Sequence, residues 1–101
     1  EGDFPTGFVC CNDAAAITLC KALKQLGIDI PGEVSVIGFD DISAASQVEP
    51  ELTTMRVRRE SMGRKAVNML LARISGNDGI TGKLLLSASL IERRTVKRLD
   101  A

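Results

Sequence analysis

The stretch EVSVIGFDDIS, residues 33–43, decides the fold. From Val34 to Phe39 it is apolar apart from Ser35, with β-branched Val34, Val36 and Ile37, so both faces carry apolar side chains. Such a run suits an interior strand of a parallel sheet, which is covered on both faces. It ends on two neighbouring carboxylates, Asp40 and Asp41. A strand built for burial that stops on two acids is either capping the turn that follows or offering acceptors to a polar ligand.

Working upstream, GFVCC (residues 7–11) predicts another short buried strand. ND follows at once, then AAAITLCKALKQLG. Asn12 or Asp13 suits a helix N-cap. Ala16, Leu19, Cys20, Leu23 and Leu26 recur at helical spacing and predict the buried stripe. Gly27 suits the position just past the helix end, and Pro31-Gly32 breaks the connector. Strand, helix and strand form one βαβ unit, whose crossover is expected to be right-handed. The fold class predicted is therefore α/β with a parallel sheet. Ligands of such sheets bind outside the carboxyl ends of the strands. Asn12-Asp13 and Asp40-Asp41 stand at those two ends.

Downstream, ISAASQVEPE reads as a surface loop or a short helical turn, and LTTMRV (residues 52–57) has strand composition. ESMGRKAVNMLLARISG predicts a second helix with an apolar stripe of Met62, Ala66, Met69, Leu70 and Ile74, ended by Gly76. NDG (residues 77–79) is a turn signal. KLLLSASLIERRTV (residues 83–96) predicts one long strand or two joined ones.

Composition narrows the function. Thirteen basic residues balance thirteen acidic ones, a poor basis for binding phosphate backbones non-specifically. The runs RVRR (residues 56–59) and RRTVKR (residues 93–98) read as solvated or interface charges. Cys10, Cys11 and Cys20 are odd in number and lack CxxC spacing, so neither a disulfide framework nor a zinc site is expected. They read as reduced, small apolar residues of a cytoplasmic protein. There is no histidine, which removes the commonest general base and metal ligand. No phosphate-binding glycine loop and no nucleophile with a base are found, so no catalytic residue, metal or cofactor is expected. EGDFPTG at the start is not a signal peptide pattern, and no apolar run nears the ~18 residues of a membrane span.

Several motifs in fixed order carry a resemblance. They are ND with Ala three places on (Asn12, Asp13, Ala16), GIDIPGEVSVIGFDDI (residues 27–42), P-x-LTT (residues 50–54), MGRKAV-x-x-LL (residues 62–71) and LIERRTV (residues 90–96). Together they span nearly the whole chain, which resembles the C-terminal portion of the effector-binding domain of LacI/GalR-type transcriptional regulators. The resemblance implies a partial periplasmic-binding-protein-like (type I) fold, two-lobed when complete, with a ligand cleft between lobes. Residues 1–56 and 83–101 would belong to the C-terminal lobe, and residues 57–82 to a visit to the N-terminal lobe. The DNA-binding head lies outside such a portion, so DNA would be a partner only through that absent domain.

The resemblance also implies a site. Asp40 would accept hydrogen bonds from ligand hydroxyls or ring N–H groups, and Asn12 would do so from the neighbouring strand, which suits a small sugar or a nucleoside-like effector. Phe39 is a candidate stacking wall, although its place on an interior strand argues for core packing. Asp13 and Asp41 read as caps and connectors. Family members often hold a sugar with Gln at the position of Val57, so the pocket here would be less polar on that side. A homodimer, or a higher homo-oligomer built from it, would use Ile17 and Lys21 together with Ala44, Val48 and Pro50. The isolated chain is expected to self-associate. The function expected is effector sensing and dimerisation in a regulator, with a periplasmic sugar-binding transport protein as the alternative and an enzyme as the weakest reading.

Overall fold

Asn12 starts the first helix as expected. Its backbone is extended, and its Oδ1 accepts the Ala15 N–H at 2.8 Å. The computed structural model describes residues 4–76 and 82–99. Helix α1 (Asp13–Gln25) closes on a Schellman turn: Ile28 N–H donates to the Leu23 carbonyl and Gly27 N–H to the Lys24 carbonyl. That closure puts residue 27 at φ 76°, which glycine adopts without strain.

Strand β1 (Gly7–Val9) pairs in parallel with β2 (Ser35–Ile37), with Phe8 opposite Val36. α1 lies between them in sequence, so the three form the expected βαβ unit. The register continues past the strands: Cys10 N–H donates to the Ile37 carbonyl and Asp13 N–H to the Phe39 carbonyl. The other edge of β2 is occupied too. Val36 N–H donates to the Thr95 carbonyl, Gly38 N–H to that of Thr53, and Asp40 N–H to that of Met55. Strand β3 (Thr54–Arg56) pairs antiparallel with β4 (Ser89–Ile91), Arg56 facing Ser89. A 3-10 turn, Ser43–Ser46, sits between β2 and β3.

The core gathers on α1 and β2. Ala16, Cys20 and Leu23 come from one helix face, joined by Ile30, Val34, Val36, Ala45 and Leu52. Three buried threonines close it. Thr95 Oγ1 donates to the Val36 carbonyl at 2.6 Å and accepts the Thr53 N–H at 2.9 Å, while Thr53 Oγ1 accepts the Arg93 N–H at 2.9 Å. The LTT and RRTV motifs therefore lock together, and their hydroxyls supply the partners that burial demands. Gly38 allows a close approach: a Cβ there would run into the Asp13 carboxylate and crowd Leu52.

The chain divides into two compact units, Glu1–Val57 with Ser89–Ala101, and Arg58–Ala88. Residues 83–88 thus group with the second unit. That unit contains helix α2 (Arg59–Ile74), ended by Gly76 at φ 72°, and an irregular run through Leu84, Leu85 and Leu86.

Four expectations change. Val9 is 88% exposed, so β1 is an edge and not a buried strand. Leu26 is exposed because it sits at the helix cap, where the chain turns away from the stripe. The expected stripe of α2 is uncovered: Met62, Met69, Leu70 and Ile74 are 43–71% exposed and no residue of the helix is buried. One helix and one irregular run supply too little surface to cover it. Residues 83–96 form no long strand either: only Ser89–Ile91 is a strand. The NDG turn expected at residues 77–79 lies outside the described residues.

Candidate functional site

Three strand ends meet at one edge of the sheet. β1 delivers Asn12 and Asp13, and the Asp13–Phe39 backbone bond sets them beside the end of β2. A parallel bridge between Asp40 and Arg56 brings the end of β3 to the same edge. The polar pairs that sequence placed at separate strand ends are therefore neighbours, and Arg56 joins them.

Within this cluster the acids have different duties. Asp13 is fully buried and joins three elements: it begins α1, its Oδ2 accepts the Ile42 N–H at 2.8 Å, and its Oδ1 accepts the Thr54 hydroxyl at 2.6 Å. Asp41 is a second connector. Its Oδ2 meets Arg56 Nε and its Oδ1 meets Arg93 Nη2, each at 2.8 Å. Arg93 also donates from Nη1 to the Leu52 carbonyl at 2.9 Å. Asp40 is half-buried at the rim, with its own N–H on Met55. Both Asp40 and Asp41 have positive φ, 123° and 60°. Conformations of that kind cost about 1–3 kcal/mol each and persist only where the surroundings enforce them.

Asn12 is exposed, with Oδ1 used by the helix cap. Phe39 is 41% exposed and outside the core, which overturns the packing alternative. Arg56 and Arg93, whose basic runs predict solvated or interface charges, belong to this cluster as well. The side chain of Arg93 is 14% exposed and that of Asp41 is 9% exposed, so this pair belongs to the interior of the unit. The available signal was the double acid itself, because a second carboxylate near a buried strand needs a cationic partner.

Burial alone would push the Asp41 carboxyl up, but the hydrogen bonds and charges of Arg56 and Arg93 outweigh it and hold it below the ordinary carboxylate range. The sign follows from linkage: a depressed folded-state value stabilises above the unfolded value of about 3.9 and is lost as pH falls through the folded one. Acid unfolding of the full-length protein should therefore show a constant stability gap between wild type and Asp41→Asn from pH 8 to 5, closing below about pH 4. A gap that widens in acid would contradict the pairing.

A second feature lies away from the rim. Ile17, Lys21, Val48 and Pro50 line a groove of about 220 Å³ floored by Cys20 and Leu52. Ile17 and Val48 are half-buried against the core. Ala44, in the 3-10 turn, is half-buried and outside the lining. The three cysteines are free, and burial first of all pushes the Cys10 and Cys20 thiols up, keeping them neutral. Among the described residues no group of three or more His, Cys, Asp or Glu could hold a metal, and no helix is long and apolar enough to cross a membrane.

The polar groups gathered at the strand ends belong to an open α/β arrangement that known proteins share. Residues 1–96 match the periplasmic binding protein-like domain family. The HTH-type transcriptional repressor PurR of Haemophilus influenzae (strain PittEE) is 38% identical over 102 residues, 98% of this chain and 30% of that protein. The solved LacI-type transcription regulator from Bifidobacterium animalis subsp. lactis superimposes with a TM-score of 0.86 at 36% identity, over 96% of this chain and 35% of that one. A LacI family transcriptional regulator from Enterococcus faecium, solved with bound ribose, gives a TM-score of 0.83 at 28% identity, over 94% of this chain and 35% of that one. The chain belongs to the periplasmic binding protein-like domain family, and it is similar to a portion of LacI-type transcriptional regulators. It spans about 30% of the length of the curated relatives it matches.

Proposed function

We propose that this chain is the effector-gripping and dimerising portion of a LacI-type regulator that binds a small sugar or nucleoside-like molecule. The observation that carries the reading is the convergence of three strand ends at one rim, with Asp40 held there at φ 123° by its bond to Met55. An ionised Asp accepts from two donors, and an Asn both donates and accepts. Sugars and nucleosides present such groups on a compact frame. The unit of residues 1–57 and 89–101 would be part of one lobe and that of residues 58–88 part of the other. Effector binding at the cleft would favour one degree of lobe closure, and that differential affinity would reach a DNA-binding head outside this chain. Ribose in the Enterococcus faecium structure supports the sugar class. The groove at Ile17, Lys21, Val48 and Pro50, with Ala44 beside it in sequence, supports a homodimer face in a cytoplasmic protein.

The test is calorimetric titration of the full-length protein with D-ribose, L-arabinose, cellobiose, D-xylulose, adenosine and guanosine. One of these should bind with micromolar affinity, about −8 kcal/mol. The same addition should shift the affinity for upstream DNA of its own gene. Binding without any change in DNA affinity would point to transport and against regulation.

A further inference from the structure

In the Asp40–Asp41 turn Asp40 sits at φ 123°, where a side chain is strained, and Asp41 follows in the left-handed region at φ 60°. Such a turn relaxes unless its surroundings over-determine it. Asp40 N–H donates to the Met55 carbonyl at 2.8 Å, which holds one side. The other side is held through the Asp41 carboxylate. Each of its oxygens is taken by a different arginine, Oδ2 by Arg56 Nε and Oδ1 by Arg93 Nη2, both at 2.8 Å.

Arg93 is itself anchored. Its Nη1 donates to the Leu52 carbonyl and its main-chain N–H donates to Thr53 Oγ1, each at 2.9 Å. Leu52 and Thr53 are 0% and 2% exposed. The grip on Asp41 is thus fastened to the core of the unit. Two mobile surface side chains would hold nothing comparable. Lysine could not replace Arg93, since one ammonium lacks the fork that reaches carboxylate and carbonyl together.

We propose that Asp41 is a positioning residue: clamped by Arg56 and Arg93, it maintains the strained turn that sets Asp40 at the rim, and so governs effector affinity without touching the effector. This rests on the reading of Asp40 as an effector acceptor. A contact residue held rigidly before binding loses less freedom when the effector arrives.

The experiment compares wild type, Asp41→Asn and Arg93→Lys in the full-length protein. Amide hydrogen exchange is read at Asp40 and at Val36 with no ligand present, and affinity is read for D-ribose and adenosine. In Asp41→Asn the Asp40 amide should exchange at least about tenfold faster beyond any rise at Val36, in the middle of β2, which reports the loss of global stability. Affinity for whichever of the two probes wild type binds should fall about tenfold, with Arg93→Lys in between. A merely structural role would raise exchange at Val36 in step with Asp40, and that result overturns the proposal, as does an Asp40 amide protected as in wild type. If Asp41→Asn fails to fold, Arg93→Lys is judged on the same readouts. If Asp40→Gly leaves probe affinity untouched, the effector reading fails and the claim on affinity falls with it. The exchange data still decide whether the clamp holds the turn.

Discussion

Asp13→Ala should lower the stability of the full-length protein by about 3 kcal/mol, a fall in Tm of roughly 6–12 °C. The carboxylate is fully buried, and its two oxygens satisfy the Ile42 N–H and the Thr54 hydroxyl. Alanine strips both donors of their acceptor in a place where water does not replace it, and an unpaired buried polar group costs about 1–3 kcal/mol. The companion variant discriminates the cause. In Asp13→Asn the remaining oxygen can serve Ile42 N–H while the new amide donates to Thr54 Oγ1, which is also an acceptor. Its loss should stay near about 1 kcal/mol. Thermal unfolding of both variants checks this. Equal Tm values for Asp13→Ala and wild type would mean that the buried bonds do not tie α1, β3 and the loop after Asp41 together.

Asp40→Ala should abolish the effector response of the full-length protein, weakening binding at least a hundredfold. Two hydrogen bonds to an ionised group are worth about 1.5–3 kcal/mol each, so losing both spans roughly 3–6 kcal/mol. Alanine also inherits φ 123°, where a Cβ is strained. Asp40→Gly removes the carboxylate and suits that backbone, so it separates loss of the acceptor from strain. Both variants should bind equally poorly and keep the oligomeric state of wild type, because the groove at Ile17 and Lys21 is lined from α1 and residues 48–52. Titration calorimetry and sedimentation measure the two properties. A full response in Asp40→Gly would remove Asp40 from the site.

The architecture was legible where local rules coincide. Residues 34–39 are apolar on both faces, Asn12 is a good cap and Gly27 a good stop, and together they predict the βαβ unit that the structure shows. The match of FDD, LTT and LIERRTV to a regulator family was legible as order and spacing. Their physical roles were not. Thr53, Thr54 and Thr95 look like ordinary strand residues, and only their burial turns three hydroxyls into a closed set of partners. Arg56 and Arg93 look like members of basic runs; the parallel bridge of Asp40 to Arg56 brings the first to Asp41, and the return of the chain at β4 brings the second.

The apolar stripe of α2 marks the opposite limit. Periodicity states that a helix has a face to bury, and it is silent on what does the burying. In the unit of residues 58–88 that face stays exposed, with Leu70 at 60% and Ile74 at 71%. By itself, then, the sequence determined the two helices, the parallel βαβ core, the family and the pairs of polar residues at strand ends, because caps, breakers and hydrophobic periods act over a few residues. Only the tertiary structure decided which acids tie the fold together. Asp13 and Asp41 find their partners 29–52 residues away, at Ile42, Thr54, Arg56 and Arg93, apart from the shorter step of 15 from Asp41 to Arg56. Contacts at such separations arise when chain segments pack, and no local pattern records them.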